Sequence, residues 1–122
     1  MKTQTSRKNA FTLVEIMIVV AIIGLLAAIA IPNFVKARAT AQKNACIANL
    51  KQIDGAVQQW ALEQKKVASD TYALTDTNLL AYMKGSTLPG NGTCPAGGTY
   101  GAGATVSASP TCTLSTSQGH TL

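Results

Sequence analysis

The chain has 122 residues, 47% of them hydrophobic, 12% charged and 5% aromatic, with a formal net charge of +5. That is length for one small domain; setting aside a membrane-length apolar helix near the start leaves roughly 90 residues, a thin core with no room for a catalytic cleft. Three of the ten basic residues, Lys2, Arg7 and Lys8, precede the apolar run, and the other seven are balanced by five acidic ones without an aromatic platform, which excludes a nucleic-acid-binding stripe.

Residues 1–10 read as a short basic leader, and residues 11–34 as a hydrophobic transmembrane or filament-core helix. From Phe11 to Ile31 the chain runs FTLVEIMIVVAIIGLLAAIAI, with Glu15 as its only charge. A helix of that length spans about 30 Å, the thickness of a bilayer core. Basic residues stand on both sides, with Lys36, Arg38 and Lys43 following the run, so charge alone does not orient it. The alternative is a secretory signal peptide: Ala28, Ile29 and Ala30 form a small-x-small pattern, and cleavage near Ala30 would release a small soluble binding protein. Glu15 weighs against both that reading and a plain anchor, because a carboxylate at the bilayer centre costs roughly 2.5–3.5 kcal/mol and so implies a use.

Ala10, Phe11, Thr12, Leu13, Val14 and Glu15, after a basic leader, resemble the type III signal of type IV pilins and type II secretion pseudopilins. The resemblance covers residues 1–45, with Gly24 and Pro32 at the family's offsets in the helix. It implies that a prepilin peptidase cuts between Ala10 and Phe11 on the cytoplasmic face and methylates the new Phe11 amine. Ala10 stands where the family usually has glycine. It also implies that Glu15 compensates the Phe11 amine of a neighbouring subunit, that the Thr12 hydroxyl can assist, and that the Gly24 to Pro32 section can kink or melt. The implied fold is α+β, a pilin-like lollipop with a long N-terminal helix and a small C-terminal antiparallel β region. The implied function is structural and not enzymatic: a subunit of a type IV pilus or type II secretion-type pseudopilus, anchored by a single pass in the inner membrane with its C-terminal domain outside the cytoplasm. Its partners would be like subunits, the prepilin peptidase, an assembly platform with its ATPase, and lipid before assembly, with no cofactor and no nucleic acid. Pilus, DNA-uptake pseudopilus and secretion pseudopilus stay open, since they share this N-terminal half.

Residues 35–68 read as an amphipathic continuation of the helix, predicted to run from Phe11 to Val67. Cys46, Leu50, Ile53, Val57, Trp60 and Gln64 recur at helical spacing, a stripe for packing against a globular region. That region is residues 69–122. Thr75 or Asp76 caps a predicted helix over Thr77 to Lys84, with Gly85 as terminator. Beyond Leu88 the chain turns rich in Gly, Ser, Thr and Pro, with two or three short antiparallel strands predicted near residues 98–100, 104–106 and 111–114.

The three cysteines, Cys46, Cys94 and Cys112, lack CxxC spacing and a sequence-near histidine, which sets a zinc or thioredoxin-like site aside. Two are expected to pair. Cys94 with Cys112 is the favoured disulfide, closing a loop worth about 3 kcal/mol, with Cys46 a buried thiol in the stripe, although spacing does not fix the connectivity. Asn91, Gly92 and Thr93 fit a glycosylation sequon but read better as a turn. His120 reads as a solvated residue, and Asp70 and Asp76 lack the clustered oxygens that calcium needs, so no metal is expected.

Overall fold

The structure, a computed structural model, describes residues 10–122; apart from Ala10 the expected leader lies outside the described residues. Its α-helices and strands in chain order are α1 (Leu13–Glu63), α2 (Thr77–Leu80), β1 (Tyr100–Gly101), β2 (Thr111–Cys112) and α3 (Ser115–Gln118), with short 3-10 turns at Lys84–Ser86 and Pro89–Gly92. A long N-terminal helix with a small antiparallel sheet in the C-terminal region is the expected α+β class. The chain divides into two compact units after Lys36.

In the first unit α1 is apolar on every side and exposed: Leu13, Ile16, Val20, Ile23 and Leu26 are all more than half accessible. A helix without a polar face needs an apolar solvent or a partner, and α1 is long and apolar enough to cross a membrane. The helix runs unbroken through Gly24 and Pro32. Pro32 has no N–H to give to the carbonyl one turn back, so the ladder there lacks one bond.

In the second unit the predicted stripe is the core. Cys46, Leu50, Ile53, Val57 and Trp60 are buried, joined by Ala56 and Ala61. They pack with Tyr72, Leu74, Leu79, Met83, Tyr100 and Val106. Polar residues beside the stripe tie loops to the helix: Gln42 Nε2 donates to Pro95 O at 3.1 Å, Asn49 Nδ2 to Tyr100 Oη at 2.9 Å and Gln58 Nε2 to Val106 O at 2.9 Å.

α1 ends earlier than predicted, at Glu63, which leaves Gln64 exposed beyond it. Lys65 takes the left-handed conformation with φ 53°. Lys66 N–H donates to Ala61 O at 2.8 Å and Lys65 N–H to Leu62 O at 3.3 Å, the paired bonds of a Schellman cap. The absence of glycine at this position hid the stop from a sequence reading. Asp76 caps α2, its carboxylate accepting Asn78 N–H at 2.9 Å, but α2 closes after one turn instead of reaching Lys84.

β1 and β2 pair Tyr100 with Cys112 and Gly101 with Thr111. The third expected strand, around residues 104–106, does not form. Val106 N–H donates to Asp70 O at 2.8 Å and Ser107 N–H to Ala68 O at 3.1 Å, so this segment spends its donors on the chain just after α1.

Candidate functional site

At the start of α1 the sequence Thr-x-x-Glu forms a reciprocal cap. Thr12 N–H donates to Glu15 Oε2 at 2.7 Å, the Thr12 hydroxyl to the same oxygen at 3.0 Å, and Glu15 N–H to Thr12 Oγ1 at 3.3 Å. Thr12 therefore occupies the N-cap and Glu15 the third helical position of a capping box. The carboxylate is exposed and faces the positive end of the helix dipole. Ala10 and Phe11 lie ahead of the helix and are exposed, Phe11 at 83%. Gly24 has open space around it, with nothing within 4 Å of where a Cβ would stand.

The second constellation was not visible in the sequence. Cys46 on α1, Cys94 in the loop before β1, Cys112 on β2 and His120 after α3 bring three sulfurs and a ring nitrogen within 4.8 Å of one another, all buried. All three cysteines are free thiols. The expected Cys94 to Cys112 disulfide is not shown in this structure, and each sulfur faces the other three donors, because α1 carries Cys46 into the same pocket. His120, expected in solvent, is 1% exposed, and its Nδ1 lies 3.4 Å from Cys94 Sγ.

The loop after Cys94 is shaped around its sulfur. Ala96 N–H points at Cys94 Sγ at 3.4 Å, and Gly97, with φ 93°, returns its N–H to Cys94 O at 2.8 Å. A Cβ on Gly98 would stand 3.0 Å from Cys112 Sγ and 2.9 Å from the Leu114 and Thr113 side chains, so any larger residue would force those side chains to shift. Burial, reinforced by the Cys94 and Cys112 sulfurs, pushes the Cys46 thiol up to about 12. Burial also acts to raise Cys94, but hydrogen bonds from the Ala96 backbone, the two neighbouring thiols and the Gly98 backbone outweigh it, and the Cys94 thiol lies below its ordinary range. The only signal in the sequence was the odd number of cysteines, because no local spacing joins positions 46, 94, 112 and 120.

Asp70 and Asp76 are occupied locally, Asp70 accepting Val67 N–H at 3.0 Å and Asp76 capping α2. Asn91 lies in an exposed turn with φ 54°.

Residues 5–31 match the family described as the prokaryotic N-terminal methylation motif. The chain is 57% identical over 47 residues to the type IV major pilin protein PilA of Myxococcus xanthus, covering 38% of this chain and 21% of that protein. It is 34% identical over 85 residues to a fimbrial protein of Pseudomonas aeruginosa and 31% identical over 85 residues to the type II secretion system core protein G of Escherichia coli. Each of these two matches covers 70% of this chain and 55% of the relative, so the chain spans about half the length of either. No solved structure matches it. The N-terminal segment, with its capped apolar helix, carries the prokaryotic N-terminal methylation motif and is similar to the corresponding segments of type IV pilins and of the type II secretion core protein G.

Proposed function

We propose that the chain is a structural subunit of a type IV pilus or type II secretion-type pseudopilus, cut after Ala10, methylated on Phe11, held by one pass in the inner membrane and then assembled into a helical filament. The observation that carries this reading is a coincidence of positions. From Leu13 to Ile31 the methylation motif coincides with a helix that is apolar on every side and exposed, with Glu15 as the one charge in its first turn. In a membrane lipid covers that surface; in a filament the same surface is covered by other subunits. Glu15 then has two successive partners, the Thr12 amide in the free chain and the Phe11 amine of a neighbour in the filament, where a low dielectric favours pairing opposite charges.

Mass spectrometry of the mature chain, from cells with and without the peptidase, is expected to find methylated Phe11 at its start only when the peptidase is present. A mature chain beginning at Ile31 would replace this reading with secretion. Ala10→Leu should block the cut. Glu15→Leu should insert and be cleaved at least as well as the wild type, yet lose filament. An uncompensated buried amine costs on the order of 3–5 kcal/mol, which corresponds to roughly a hundredfold or greater loss of sheared filament relative to cleaved monomer. Wild-type filament yield from Glu15→Leu would sink the charge pairing.

A further inference from the structure

We propose that Cys46, Cys94, Cys112 and His120 form a structural zinc site that staples the unit spanning residues 37–122.

Four donors, three sulfurs and an imidazole nitrogen, lie within 4.8 Å of one another and are at most 3% exposed. Three thiolates and one histidine are a donor set of closed, tetrahedral zinc sites. With Zn–S near 2.3 Å and Zn–N near 2.0 Å, the edges of such a tetrahedron are about 3.5–3.8 Å. The Cys94 to His120 edge already measures 3.4 Å. An inward movement of about 0.5 Å by each of the other donors closes the remaining gap, within the reach of small side-chain rotations.

The surroundings fit a metal better than a disulfide. Any disulfide uses two of the three cysteines and leaves the third beside it as a buried thiol, whereas a Cys3His site uses every donor. The N–H of Ala96 aimed at Cys94 Sγ at 3.4 Å is the outer-shell bond that orients and stabilises a ligating sulfur. Binding would convert three S–H groups into thiolates, release three protons to solvent and leave neutral imidazole as the fourth ligand. The resulting site carries one net negative charge. Lys43 Nζ lies 3.1 Å from where a Cβ would stand on Gly119, next to His120, and supplies a nearby cation.

The ligands come from α1, the loop before β1, β2 and the segment after α3, so one ion would cross-link four separate segments of a unit whose sheet is two residues long per strand. Small domains with thin cores are stabilised in this way.

The test uses the full chain in detergent, purified under reducing conditions and loaded with Zn2+ or Co2+. Elemental analysis is expected to give one zinc per chain, and Co2+ the intense ligand-field and sulfur-to-cobalt absorption of a tetrahedral thiolate site. Cys112→Ser and His120→Ala should each weaken Zn2+ binding by more than about 100-fold, beyond what outer-shell changes cost. His120→Cys should recover tight binding with an all-thiolate Co2+ spectrum, which separates ligation from simple loss of folding. Zinc far below stoichiometry in the reduced chain, iron in its place, a Cys94 to Cys112 disulfide in a chain that takes up no metal, or His120→Cys binding no better than His120→Ala would each overturn the proposal.

Discussion

Thr12 and Glu15 carry two separable physical roles. The capping box needs a hydrogen-bond acceptor at position 15, which glutamine also supplies, whereas charge compensation needs the carboxylate. Thr12→Ala is therefore expected to fray the first turn of α1 at a cost of about 1 kcal/mol, read as faster amide exchange at Glu15 and Ile16 in micelles. Glu15→Gln should keep that protection and still assemble poorly. Normal exchange with normal filament in Glu15→Gln would leave only the capping role. Tyr82 offers a pH probe in the second unit. Its hydroxyl donates to Glu63 Oε2 at 2.6 Å, and that bond, then burial and the carboxylate charge, raise the phenol above its ordinary value. A folded-state value above the unfolded one means that the stabilisation is fully present below about pH 10 and is lost as pH rises through the folded value. Thermal stability of the wild type should thus fall more steeply above pH 10 than that of Tyr82→Phe, and parallel curves would remove the bond's contribution.

Among the elements, the end of α1 and the loop before β1 depend on single backbone positions. Lys65 holds a left-handed conformation that glycine adopts without a Cβ penalty. Lys65→Gly is expected to stabilise the second unit by up to about 1 kcal/mol, the relieved left-handed penalty exceeding the added freedom of glycine in the unfolded chain, and a lower melting temperature would contradict the cap assignment. Gly98→Ala should act the other way, because the added methyl would stand 2.9 Å from the Leu114 and Thr113 side chains and 3.0 Å from Cys112 Sγ, so those side chains must give way. Overpacking of this kind costs about 1–3 kcal/mol. If the sulfur cluster holds zinc, the same substitution should also lower Zn2+ affinity, so two readouts report on one contact. The strands themselves are two residues each. The loop before β1, β1 itself and the loop between the strands are each tied to α1 by a hydrogen bond, at Pro95, Tyr100 and Val106, and pack on its stripe.

For the molecule as a whole, the metal proposal predicts how the two units respond to a chelator. Stripping zinc should destabilise residues 37–122 by several kcal/mol, on the order of a sizeable part of what structural zinc supplies in small domains. The helicity of residues 13–36 in micelles should be unchanged, since no proposed ligand lies there; equal loss from both units would argue for general unfolding by the treatment. The sequence by itself determined the apolar helix, Glu15 as its one charge, the resemblance carried by residues 10–15 and the buried stripe from Cys46 to Trp60. These are properties of adjacent or helically spaced residues, and the periods of local structure carry them. The stop at Glu63 was missed because a lysine occupies the left-handed position where glycine is the usual sign. The gathering of Cys46, Cys94, Cys112 and His120 was decided only by the tertiary structure. Those residues are separated by up to 74 positions, and their convergence depends on how loops without periodicity close onto one turn of a helix, which no local pattern encodes.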